Sequence, residues 1–191
     1  MSSEKMTPKA IWLEEGLSIL TSEGPGALSI ENLTRRTGKT KGSFYHHFSS
    51  REQYVEKLLE YYEEIATQNV ILTTRKGATP RERLKMLTEL TFRISSEVDL
   101  SIRAWALYEP LVRDFQDRID QRRLEYLKEL YLESSGDPDT ARILAYRNYA
   151  LYIGLQQVKH HHNEKELNDL LKHIFSDSSP KMTSQKKKGG R

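Results

Sequence analysis

The sequence predicts an all-α protein of about nine helices. Three observations predict it. Apolar residues recur at helical rather than alternating spacing in nearly every segment. Ser, Thr or Asp stands where an N-cap is needed, and Pro or Gly where helices should start or stop. No segment has a convincing strand pattern, and no internal repeat is present.

Thr7-Pro8 reads as an N-cap followed by proline at the first helical position, where its missing N–H costs nothing. Ile11, Leu13, Leu17 and Leu20 give this first helix an apolar face, and Gly24-Pro25-Gly26 ends it. Ser29 caps a second helix in which Ile30, Leu33 and Thr34 face inward, and Gly38 stops it. Thr40 caps a third. Ser50 with Gln53 forms a capping box that opens a long fourth helix running to about Thr73. Three short helices with a glycine turn between the second and third match the helix-turn-helix layout.

Beyond Gly77, Thr79-Pro80-Arg81-Glu82 is a second capping box. The fifth helix that follows carries Leu84, Leu87, Leu90, Ile94 and Val98 on one stripe. A sixth runs from Leu100 to Tyr108 and breaks near Pro110. Val112 to Leu132 forms a seventh, with Phe115, Ile119, Leu124, Leu127 and Leu130 inward and its Asp, Arg, Glu and Lys outward. Gly136-Asp137-Pro138 stops it and starts an eighth that reaches about His161; Glu164 to Phe175 is the ninth. From Asp177 the Ser, Lys and Gly composition cannot bury enough apolar surface to order itself. The chain thus divides into a helix-turn-helix domain (1–54), a second helical domain (55–176) and a basic, disordered tail (177–191).

The net charge is only +3, so basic character is local. Between Glu31 and Glu52 there is no acidic residue, only Arg35, Arg36, Lys39, Lys41, Arg51 and the pair His46-His47. A duplex attracts such a surface because Lys and Arg replace its condensed counterions, whereas carboxylates repel it. Taken alone, the run is equally a solvated helical face; caps, turn and spacing together favour DNA. The second helix of a helix-turn-helix enters the major groove. Thr40 and Ser43 bring hydroxyls to its start, Lys41 adds charge, and Gly42 lets the backbone approach closely. Phe44 and Phe48, one turn apart, anchor it, while Tyr45 and His46 project outward to phosphates or base edges.

The run Leu28-Ser29-Ile30-Glu31-Asn32-Leu33-Thr34-Arg35-Arg36-Thr37-Gly38, with Thr40 to Phe48 and Ser50-Arg51-Glu52, resembles the DNA-binding domain of TetR-family transcription regulators. The resemblance covers about Ile11 to Tyr61, and its K-G-S-F-Y-H-H-F core is specific. Asp99 to Ala106 and Asp120 to Leu127 resemble one branch of that family more weakly. The resemblance implies a C-terminal effector-binding and dimerisation domain. It further implies a homodimeric repressor that binds a palindromic double-stranded operator and responds to a small molecule. By position it assigns DNA contact to Ser29, Lys39, Thr40, Lys41, Gly42, Ser43, Tyr45, His46 and Arg51. Three positions depart from the family pattern: Thr37 stands where alanine is common, Lys39 where an apolar residue is common, and Arg51 where lysine is common, which keeps the charge but alters its geometry. Either the turn packs more loosely or Lys39 reaches an extra phosphate.

The C-terminal half is rich in aromatics. Phe92, Arg103, Trp105, Tyr108, Tyr126 and Tyr149 are the candidates for an effector cavity between helices, and Arg103 near Trp105 hints at an anionic or aromatic effector. The eighth helix is apolar over more of its circumference than one monomer can cover. Leu151, Gly154, Leu155 and Val158, with Leu167, Leu170, Leu171 and Ile174 of the ninth, form the expected dimer interface, a four-helix bundle with the symmetry mate. His160-His161-His162 suggests a metal, but consecutive helical positions point about 100° apart and cannot converge on one ion.

With no cysteine, disulfides, thiolate catalysis and cysteine zinc sites are excluded. No nucleophile, metal set or carboxylate pair has supporting spacing, so neither an enzyme nor a cofactor is expected. No signal peptide or membrane span is read, which suits a cytoplasmic protein. The rival class, a helical protein-interaction module without sequence-specific DNA binding, explains the bundle but not the acid-free window.

Overall fold

The computed structural model describes residues 7–93 and 96–158, the side chains of 92, 93 and 96 excepted. In chain order these residues form α1 (Pro8–Ser22), a 3-10 turn (Pro25–Ala27), α2 (Ile30–Thr37), α3 (Lys41–His47) and α4 (Arg51–Glu63). A π-helical turn (Glu64–Gln68) leads into α5 (Asn69–Thr74), followed by α6 (Pro80–Arg93), α7 (Ser96–Ala106), α8 (Pro110–Ser135) and α9 (Pro138–Val158). Among the described residues there is no strand, and no helix is long and apolar enough to cross a membrane.

Side chains fix where these helices begin. The hydroxyls of Thr7, Ser29, Thr40, Ser50 and Thr79 accept from the amides of Ala10, Asn32, Ser43, Gln53 and Glu82 at 3.1–3.2 Å. The Asp137 carboxylate caps α9 by accepting from Thr140 N at 3.0 Å. In both capping boxes the returning side chain reaches one residue further back than the motif predicts. Gln53 accepts from Ser49 N and Glu82 from Ala78 N. Gly38, between α2 and α3, sits at φ 66°, a left-handed conformation that a β-carbon disfavours.

Three boundaries differ from the sequence reading. The long fourth helix contains the π turn, where one extra residue per turn interrupts the α ladder. Val98 lies on α7 rather than ending the stripe of α6; Glu97 and Asp99 occupy the first turn of α7, where negative charge suits the helix N-terminus. Finally, α8 starts at Pro110 and extends to Ser135, longer than expected. The expected ninth helix, the basic tail, His160 to His162 and the interface residues Leu167, Leu170, Leu171 and Ile174 lie outside the described residues.

The core is continuous across the two halves of the chain. Trp12, Leu17 and Leu20 of α1 join Leu33 of α2, Phe44 of α3 and Tyr54, Leu58 and Tyr62 of α4. The same cluster runs on into Ile102 and Trp105 of α7 and Val112, Phe115 and Ile119 of α8. A second cluster, Leu127 and Tyr131 of α8 with Ala141, Ala145 and Tyr149 of α9, holds the far ends of those two helices together.

The closest approach in the N-terminal half is made by Gly16. A β-carbon there would lie 1.9 Å from the Tyr54 hydroxyl, which itself donates to the Trp12 carbonyl at 2.8 Å. Gly16→Ala is therefore expected to cost about 1–3 kcal/mol by overpacking, somewhat offset by better helix propensity. Thermal unfolding followed by circular dichroism should show a Tm several degrees lower, with part of the loss recovered when Tyr54→Phe is added.

Candidate nucleic-acid interface and inner cavity

The inward side of α3 is held by aromatic packing. Phe44 is fully buried and meets Trp12 edge-on at 5.5 Å, Phe48 at 5.1 Å and Tyr54 at 5.5 Å. Each such ring contributes about 1.5–3 kcal/mol by burial, so a seven-residue helix too short to persist alone is fixed in place. The other side is open: Thr40, Lys41, Gly42, Tyr45 and His46 are all exposed, Tyr45 by 54 %. A β-carbon on Gly42 would meet only the Thr40 hydroxyl, at 3.7 Å, so nothing inside the fold requires glycine there.

The flanking cations divide into two groups. Arg36 is spent internally: it pairs with Glu15 and, at 2.6 Å, with Glu23, and it donates to Ser18 and Ser22 on α1. Arg51 donates through Nε to the Leu28 carbonyl at 2.7 Å and so ties α4 to the turn before α2. Lys41 is exposed and Lys39 half-buried beside the same edge of α3. Ser29 is half-buried and its hydroxyl caps α2. Burial, then the neighbouring charges of His46, Lys9 and Lys39, hold the His47 imidazole below its ordinary pKa. Of the two adjacent histidines, it is His46 that stands fully at the surface.

A cavity of about 610 Å3, counting its open mouth, lies between the π turn and the helices α5, α6, α8 and α9. Its walls are mostly apolar: Ala66, Val70, Ile71, Leu84, Leu87 and Leu127, with the rings of Tyr126, Tyr149 and Tyr152. Thr67, Thr88, Thr91, Asn148 and Arg123 supply the polar atoms. Of the aromatic candidates, Tyr126 and Tyr149 line it. Trp105 belongs instead to the main core, and Tyr108, 84 % exposed, stands at the surface after α7. Phe92 lies outside the described side chains. Arg103 does not line the cavity. Its guanidinium makes a two-pronged bond to Asp120 (2.9 and 2.8 Å) and donates to Asp99 and to the Tyr149 hydroxyl, each at 2.9 Å.

Sequence reasoning missed the centre of this arrangement. Arg123, expected on the outward face, turns inward, its side chain only 12 % exposed; it donates to Asp99 at 2.9 Å and to Thr67 at 3.0 Å. Asp99, 1 % exposed, also accepts from the Tyr62 hydroxyl at 2.5 Å. Burial pushes the Asp99 carboxyl up, but Arg123, Arg103 and the Tyr62 hydroxyl outweigh it and hold the pKa at about 2. Glu63, also buried, accepts from Arg118 and Arg122 at 2.8 and 2.9 Å. The cavity wall is thereby bonded to α4, which packs on α1. A signal for the α6 wall does exist: Leu84, Leu87, Thr88 and Thr91 follow the i, i+3, i+4, i+7 spacing of one face.

Residues 13–58 match the family model described as bacterial regulatory proteins, tetR family. Residues 13–58, which run from α1 into α4, are thus similar to the DNA-binding part of tetR-family regulators. The chain is 25 % identical over 157 residues to the HTH-type transcriptional regulator BetI of Rhizobium meliloti, covering 80 % of this chain and 77 % of that protein. In fold it resembles a TetR transcriptional regulator from Legionella pneumophila (TM-score 0.79, 12 % identity, 92 % of this chain and 99 % of that one). It also resembles E. coli NemR in its reduced form (TM-score 0.74, 21 % identity, 89 % and 97 %). A third likeness is to a putative regulator from Saccharomonospora viridis in complex with choline (TM-score 0.68, 20 % identity, 88 % and 93 %). A DNA-binding transcription regulator with a helix-turn-helix is the function these matches support.

Among the described residues nothing covers the outer face of α9. Ile143, Tyr146 and Val158 are 58 %, 52 % and 41 % exposed, and nothing lies within 4 Å of a β-carbon built on Gly154. Leu151 and Leu155 are half-buried along the same helix.

Proposed function

We propose that the protein is a ligand-responsive repressor that binds a palindromic operator as a homodimer in the cytoplasm. The observation that carries the DNA reading is α3 itself: a rigidly anchored short helix whose open face presents Thr40, Lys41, Gly42, Tyr45 and His46 and no carboxylate. On this reading Lys39 and Ser43 add contacts from the flank. Ser29 and Arg51 act at the edge, Arg51 while also bracing the Leu28 turn. Residues 1–54 are the DNA-binding part, 55–176 the effector and dimer part, and 177–191 a basic tail.

A second copy supplies the partner for the exposed apolar face of α9, through Leu151, Gly154, Leu155 and Val158. Two α3 helices must then enter successive major grooves about 34–36 Å apart. A small molecule in the cavity that binds better to another separation weakens DNA binding by the same coupling factor. Because the chain has no cysteine, its response cannot run through a thiol.

The test begins with sequencing of the genomic fragments that the purified protein retains. Enrichment of one dyad-symmetric sequence is expected, and Lys41→Ala and Tyr45→Ala should each lose affinity for it while helical content and dimerisation survive. Unchanged affinity in both variants would remove α3 as the reading helix. Retention of no duplex would favour the protein-interaction alternative.

A further inference from the structure

We propose that the cavity takes an uncharged, largely apolar effector and rejects both quaternary ammonium ions and carboxylates; this rests on the reading of that cavity as the effector site. The first argument is charge. Arg123 is the one ionisable group of formal charge among the described lining residues, and it is already matched by Asp99. Arg103, behind the wall, is matched by Asp99 and Asp120, so the four groups sum to zero. A carboxylate ligand would set three carboxylates against two guanidiniums, and would have to draw Arg123 from an Asp99 side chain that is 2 % exposed. A cation would face Arg123 with no carboxylate among the described lining residues to receive it. Burying an unmatched charge is costly, and that cost is subtracted from what a small ligand's contacts recover.

The second argument concerns the tyrosine faces, which would otherwise cage an ammonium ion. The Arg75 guanidinium stands 5.6 Å from the Tyr126 ring centre, and the Arg103 guanidinium 6.0 Å from that of Tyr149. Two of the three lining tyrosine rings thus already serve guanidinium cations. The polar atoms of α6 point the same way. Thr88 and Thr91 donate their hydroxyl protons to the carbonyls of Leu84 and Leu87 at 2.9 and 2.8 Å, leaving methyl groups and acceptor lone pairs. An apolar body with one hydroxyl donor fits what remains. The structural neighbour with bound choline therefore shares the fold of this chain but not the ligand class proposed for it.

Three probes with one ring system decide the matter: 2-naphthalenemethanol, 2-naphthoate and (2-naphthylmethyl)trimethylammonium, titrated calorimetrically into the full-length protein at neutral pH. The alcohol is expected to bind about tenfold or more tightly than either ion, and its binding should vanish in Thr88→Trp and in Leu87→Trp, each of which fills the cavity from α6. Circular dichroism identifies which of the two variants is folded. Equal or tighter binding of either ion overturns the ligand class while leaving the cavity as an effector site. Undiminished alcohol binding in a folded filling variant overturns the site. If none of the three binds at millimolar concentration, the proposal and the effector reading beneath it both fail.

Discussion

A Gly42→Leu variant is expected to fold as the parent does and to lose on the order of a hundredfold in operator affinity. The two halves of that result have separate causes. Within the fold, a β-carbon at Gly42 meets only the Thr40 hydroxyl at ordinary contact distance, and leucine is a better helix former by roughly 1 kcal/mol. On DNA, the same side chain would stand between the start of α3 and the groove, pushing away Lys41 and Tyr45. In the proposed dimer that penalty would be met twice. Equal or higher Tm in circular dichroism, together with lost binding in a fluorescence anisotropy titration, is the outcome that separates a DNA-facing glycine from a structural one. Unimpaired affinity would place the DNA elsewhere.

Asp99→Asn is expected to cost about 3 kcal/mol, because it leaves Arg123, whose side chain is 12 % exposed, without its counter-charge. For a chain of this size that is a Tm lower by roughly 6–12 °C. The contrast is Asp139, whose side chain is 84 % exposed and 3.5 Å from Arg142: Asp139→Asn should change little, since such pairs contribute at most about 1 kcal/mol. The Asp99 carboxyl also predicts a pH signature. Its pKa of about 2 lies below the ordinary value of 3.8, so the native state binds this proton more weakly than the unfolded chain does. The stabilisation, about 2 kcal/mol, is fully present above the ordinary value, falls away between about pH 4 and pH 2, and is absent below. Denaturant unfolding at stepwise lower pH should show this slope in the parent and a flatter one in Asp99→Asn.

What the sequence disclosed was local chemistry. Thr7, Ser29, Thr40, Ser50 and Thr79 each cap the helix they announce, because a cap is decided by residues three positions apart. The anchoring of α3 was legible too, since Phe44 and Phe48 stand one turn apart on a face otherwise polar. What stayed hidden depends on partners distant in the chain. Arg103 reads as a free cation until α8 brings Asp120 within 2.8 Å, and Arg36 as part of a DNA-facing run until α1 offers Glu15 and Glu23. Arg123 falls on a helix whose other charges point outward, and only packing against Asp99 and Thr67 makes its burial tolerable. The π turn at Glu64–Gln68 has no proline, glycine or cap to announce it.

Contact between the open face of α3 and double-stranded DNA is measured directly by site-specific photo-crosslinking. Tyr45, 54 % exposed on α3, is replaced by p-benzoylphenylalanine, and in a parallel sample the same is done at Tyr108, 84 % exposed after α7. Irradiation with the retained duplex should yield a covalent protein–DNA product from position 45 and none from position 108. A product from 108 alone, or none from 45 under conditions where the duplex is bound, would contradict the account.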